Sequence, residues 1–93
     1  MMLDVSYFSD KCGCEPSIQL KDKTISMLDD AFIYLRSKTG VYIDCYGKTI
    51  LYPEHQKIVI DYLRDNNNEE VVKFIRFLLT ASKNHEVVIF DGD

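Results

Sequence analysis

The sequence predicts an α+β domain built on a mostly antiparallel sheet, and three observations lead there. Short stretches of period-two alternation stand near both ends and in the middle of the chain. Three longer stretches between them repeat apolar residues at spacings of three and four, the helical period. The resulting order is strand, weak strand, helix, hairpin, helix, helix, strand, which lacks the regular strand–helix alternation of a parallel sheet. At 93 residues, with no repeat and no Pro/Gly-rich linker, residues 1–93 make a single domain.

Leu3, Val5 and Tyr7 alternate with Asp4 and Ser6, which predicts a first strand over 2–8 with one buried face. Ser9 to Ser17 gathers Gly, Pro and polar residues and reads as a loop. Ile18 and Leu20 flank Gln19 as a short, weak strand. In the first helix Ile25, Leu28, Phe32 and Leu35 form the core stripe. Thr24 or Ser26 is expected to cap it, Asp29 and Asp30 to sit in its first turns, and Gly40 to stop it in the left-handed conformation.

The stretch 40–53, Gly-Val-Tyr-Ile-Asp-Cys-Tyr-Gly-Lys-Thr-Ile-Leu-Tyr-Pro, stands at the centre of the chain. Val41, Ile43 and Cys45 alternate with Tyr42, Asp44 and Tyr46, Gly47 and Lys48 break the run, and Thr49 to Tyr52 resume it. This predicts a tight antiparallel hairpin with one apolar face and one Tyr-Asp-Tyr face. Tyr52 falls nearby on the return strand. Tyrosine combines large contact area with a polar tip and is enriched at binding hot spots. The alternative is that the first helix covers this face and buries the rings.

Pro53 suits the first position of a second helix, with Glu54 carrying the charge that its N-terminus favours. Ile58, Val59, Tyr62 and Leu63 form its buried stripe, while Lys57, Asp61 and Arg64 face water. Asn67 with Glu70 has capping-box spacing for the third helix, about Glu69 to Ser82. That helix is apolar over a wide arc (Val71, Val72, Phe74, Ile75, Phe77, Leu78, Leu79), which predicts either a place between two layers or a partner contact. Residues 86–90 read as a buried strand, and Asp91-Gly92-Asp93 as an acidic tail.

The charge balance points away from nucleic acid: 11 basic against 15 acidic residues give a net charge of -4. No apolar run approaches the roughly 20 residues of a membrane span. Asp4 stands where a signal peptide would want positive charge, so a cytoplasmic protein with no membrane association is expected. Three cysteines leave at least one unpaired; Cys12 and Cys14 are too close for an ordinary disulfide, which predicts free thiols in a reducing compartment.

No catalytic constellation emerges. Cys12, Cys14, Cys45, His55 and His85 lack zinc-site spacing, so no metal is expected. A Cys45–His55 pair could be drawn, but Cys45 shares the apolar face of its strand, and neither access nor an activating base is indicated, which argues against a nucleophile. Four glycines supply no phosphate loop. Asp29-Asp30 and Glu69-Glu70 read as solvated helix-start acids. The expectation is a binding protein with no catalytic residue and no cofactor.

Thr39 to Thr49, followed by Leu51, Pro53 and a helix, resembles small bacterial immunity proteins, the cytosolic proteins encoded beside polymorphic toxins, including those of contact-dependent growth inhibition. Related sequences carry T-G-x-x-I-D-x-Y-G-x-T-x-L, often with Pro where this chain has Cys45. In that pattern Gly40 and Gly47 serve backbone angles, and Asp44 and Thr49 serve turn hydrogen bonds. The resemblance implies neutralisation of a cognate toxin by tight noncovalent binding. A basic nuclease is the toxin class that a net charge of -4 would meet fastest. The residues expected to form the interface are Tyr42, Asp44, Tyr46 and Tyr52, bordered by Glu54, Glu69 and Glu70. The alternative is a small adaptor or regulatory domain docking on a housekeeping partner through the third helix.

Overall fold

Leu3, Val5 and Tyr7 all turn to one side of β1 (Met2–Tyr7), and the fold is assembled against that side. The computed structural model describes residues 2–92, so Asp93, the end of the expected acidic tail, lies outside the described residues. After β1 come β2 (Ile18–Lys21), α1 (Asp22–Thr39), β3 (Lys48–Leu51), α2 (Pro53–Leu63), α3 (Glu69–Lys83) and β4 (Val88–Gly92). The four strands form one antiparallel sheet in the order β2-β1-β4-β3. The fold is α+β, with three helices and a wholly antiparallel sheet.

Register explains which face is buried. Leu3 pairs with Leu20, Val5 with Phe90, and Tyr7 and Leu51 with Val88, so these side chains share one face. Asp4, Gln19, Lys48, Ile50 and Asp91 are exposed on the other. The helices lie on the first face. Phe90 meets Phe74 of α3 and Phe32 of α1 edge-on at 6.1 Å each, and Tyr7 stacks on Phe77 at 5.2 Å. Most of the wide apolar arc of α3 is buried here (Val71, Phe74, Ile75, Phe77, Leu78, with Ala81), while Val72 is half-buried and Leu79 stays 49% exposed.

Several expected boundaries shift for identifiable reasons. β2 runs into α1 without a loop, so Lys21 is the N-cap residue and no side chain caps the helix. Thr24 is buried within the helix, Asp22 is the acid of the first turn, and Asp29 and Asp30 lie well along it. The cap of α3 is Asn68 rather than Asn67; its side chain accepts from the N–H groups of Glu70 and Val71. The last strand begins at Val88, two residues later than its apolar run. In α2, Tyr62 is exposed and stacks on Tyr34 at 5.0 Å. Gln56 holds the core position instead, its amide donating to the carbonyls of Leu51 and Glu86 at 2.9 Å each. Pro53 opens α2 and Gly40 closes α1 at φ 79°, both as expected.

The expected central hairpin does not form. Residues 41–46 alternate in burial, with Ile43 buried and Tyr42 and Tyr46 exposed, yet they join no ladder. α1 begins and β3 starts at the same end of the sheet, since Met2 pairs with Lys21 and Lys48 with Asp91. The 18-residue helix is about 27 Å long. Residues 40–47 lead from its C-terminus to β3 as a strap alongside α1 that ends in a turn over 45–47, with Ile43 and Cys45 set against helix residues rather than paired with β3.

Candidate functional site

Side chains, not a β-ladder, hold the strap in place. Thr39 Oγ1 donates to the Leu35 carbonyl at 2.8 Å and accepts the Val41 N–H at 3.0 Å, steering the chain out of the helix. Farther on, Thr49 Oγ1 accepts the Asp44 N–H at 2.9 Å. Asp44 Oδ1 then accepts the Tyr46 N–H at 2.9 Å, an Asx-turn that reverses the chain. Gly47 leaves room for the turn carboxylate: a Cβ there would stand 2.7 Å from Asp44 Oδ2, so that side chain would have to shift. Its backbone does not adopt the positive φ seen at Gly40. Asp44 is therefore occupied by the turn, and the tyrosines on either side of it are not.

Tyr42 is 60% exposed and Tyr46 71% exposed, so α1 does not cover them. The guanidinium of Arg36 lies over the Tyr42 ring, 4.9 Å from its centroid. Tyr52 is exposed just before α2, edge-on to His55 at 6.0 Å. The acids are placed elsewhere. Glu54 lies in the first turn of α2 and Glu69 and Glu70 in that of α3, so they stand near opposite ends of α2, about 16 Å long. Glu70 pairs with Lys73 at 3.3 Å and lines a groove with Lys21, Lys23 and Thr24. The seven expected site residues are thus not one patch. Tyr42, Asp44 and Tyr46 stay together on the strap, Tyr52 and Glu54 flank the start of α2, and Glu69 and Glu70 sit away from both.

Sequence reasoning missed the exposed apolar and aromatic residues of α1. Ile33 is 58% exposed, and Tyr34 and Tyr62 are exposed beside each other, with Lys38 Nζ 5.4 Å from the Tyr34 ring centroid. Ile33 and Tyr34 fall outside the Ile25/Leu28/Phe32/Leu35 stripe, which was the available signal: large apolar residues off the core face. Between α1 and the strap lies a cleft of about 100 Å³ lined by Ile25, Asp29, Phe32, Ile33, Arg36, Tyr42, Ile43 and Cys45.

Cys45 is half-buried in that lining, and burial first, then Asp44 and Asp29, raise its thiol pKa. The thiolate is disfavoured there, the opposite of an activated nucleophile. Cys12 and Cys14, expected as two free thiols, are joined in a disulfide. Gly13 between them takes φ 72°, and Asp10 accepts the N–H groups of Cys14 and Glu15, curling the loop until the two α-carbons stand 5.4 Å apart. That separation is ordinary for a disulfide. Among the described residues no group of three or more His, Cys, Asp or Glu is placed to hold a metal ion, and no helix is long and apolar enough to cross a membrane.

Compared with protein-family models, with curated proteins and with solved structures, the chain matches none of them.

Proposed function

We propose that this chain is a small protein-binding domain that neutralises a cognate bacterial toxin by noncovalent docking in the cytosol, as the immunity proteins that its central motif resembles do. One observation carries the reading. The motif residues divide into those that hold the strap (Gly40, Asp44, Gly47, Thr49) and those that it displays, Tyr42 and Tyr46. Two large aromatic rings left mostly exposed on a hydrogen-bonded scaffold add little to the core. At an interface that scaffold limits the entropy lost on docking. The net charge of -4 favours a basic toxin during diffusional encounter. Glu54, Glu69 and Glu70 contribute to that field without lying together at the tyrosines.

The test begins with the neighbouring gene, where a toxin domain is expected, and continues with co-expression of the two. Growth rescue and co-purification of the two chains are expected. Absence of both would overturn the reading.

A further inference from the structure

We propose that the cleft between α1 and the strap is an anchor pocket. Its ligand is an extended partner segment with one large aliphatic side chain, an acid two residues to one side and a base two residues to the other. The inference deepens the protein-binding reading and rests on it for its biological setting.

Size selects the ligand class. Pockets for cofactors and drug-sized molecules run from about 300 to 1,000 Å³, whereas this cleft holds about 100 Å³. That is room for a single side chain. Its floor is apolar: Phe32, Ile25 and Ile43 are buried core residues that line this opening. A partner side chain seated on them would complete packing that the fold leaves open, which is how interface anchors gain their energy.

Charge selects what flanks the anchor. Asp29, Ile33 and Arg36 stand at i, i+4 and i+7 of α1 and so share one helix face. The acid marks one end of the cleft and the cation the other, about 10 Å apart along the helix. Arg36 is held over the Tyr42 ring, and among the described residues neither it nor Asp29 takes part in an ion pair. In an extended segment, residues i, i+2 and i+4 project to one side over about 13 Å. A glutamate and a lysine at the outer positions reach Arg36 and Asp29 while the central residue enters the cleft.

The experiment titrates the isotopically labelled full chain with the peptide Ac-Glu-Thr-Leu-Thr-Lys-NH2, following amide resonances in the millimolar range expected for so few contacts. Saturable shifts centred on Ile33, Tyr42 and Cys45 are expected. Peptides with two acids or two bases at the ends should bind about three- to fivefold more weakly, the scale of an exposed ion pair. Replacing the central leucine by serine should weaken binding by about tenfold or more. Asp29→Lys or Arg36→Glu alone should weaken the Glu/Lys peptide, and the double variant should restore it with the peptide reversed. Equal response to all the peptides, or shifts located elsewhere, would overturn the proposal. The outcome is separable from the toxin reading. Full growth rescue by both single variants would remove the cleft from the interface and leave neutralisation standing. Failure of the wild-type chain to rescue would remove neutralisation and leave the titration to decide the cleft.

Discussion

Gly92, in the last strand, donates its backbone N–H to the Gly47 carbonyl at 2.7 Å, and its α-carbon packs directly against the Cys45 carbonyl. A Cβ at this position would overlap the backbone of Cys45 and crowd the Tyr46 nitrogen. The contact clamps the turn of the strap to the sheet at the end where β3 begins, and it links the placement of Tyr46 to the pairing of β4.

Gly92→Ala therefore forces the turn off the sheet. A loss of about 1 to 3 kcal/mol is expected, the range for overpacking at a site that yields only by backbone movement. Denaturant unfolding measures it. A variant as stable as the wild type would mean that the strap is not held against β4.

The buried amide of Gln56 joins two segments that are far apart in sequence. Its Nε2 satisfies the carbonyls of Leu51, at the end of β3, and Glu86, just before β4. Gln56→Leu keeps most of the volume but leaves both carbonyls without their donor. The expected cost is about 2 kcal/mol or more, because unsatisfied buried acceptors each cost about 1 to 3 kcal/mol. Thermal unfolding reads the loss, and unchanged stability would show that water replaces the amide.

Tyr7 gives the fold a sensitivity to alkali. Burial against α3 raises its pKa, and the charges of Glu86 and Glu15 add to the effect. A raised pKa means that the folded state retains the phenol proton where the unfolded chain releases it. The unfolded state then binds fewer protons, so stability falls as pH rises above the ordinary tyrosine value and through the folded one. Tyr7→Phe removes this term. Its unfolding midpoint should fall less steeply between neutral and strongly alkaline pH than that of the wild type, and parallel curves would refute the assignment.

Periodicity located every element of this fold. It did not reveal what each backbone pairs with. In 41–46 the period of two correctly separates Ile43 from Tyr42 and Tyr46, but an extended strap and a strand share that pattern. The difference lies in what the backbone bonds to: the Asp44 and Tyr46 N–H groups are taken by the side chains of Thr49 and Asp44 rather than by a ladder. Helix starts shifted too: β2 fuses to α1, so no capping residue was needed at Lys21. Gly40 and Pro53 could be read directly, because each answers a local backbone requirement. The exposed aromatic residues were only half legible. Tyr62 has the spacing of a core residue, and only its contact with Tyr34 across two helices shows that it faces outward.

The exposed tyrosines give the sharpest separation between scaffold and interface. Tyr46 is 71% exposed, so Tyr46→Ala should change stability by no more than about 0.5 kcal/mol, as surface substitutions do. Thr49→Val removes the hydroxyl that accepts the Asp44 N–H and should cost about 1 to 2 kcal/mol. Against the proposed toxin partner the order is expected to reverse. Tyr46→Ala or Tyr42→Ala should weaken binding by about 2 kcal/mol or more through faster dissociation, the signature of a central anchor. Glu54→Gln, away from the strap, should chiefly slow association at low salt. Surface-based binding kinetics beside thermal melts distinguish these cases. If the tyrosine variants keep both their stability and their dissociation rates, the strap is display without contact, and the partner docks on another face.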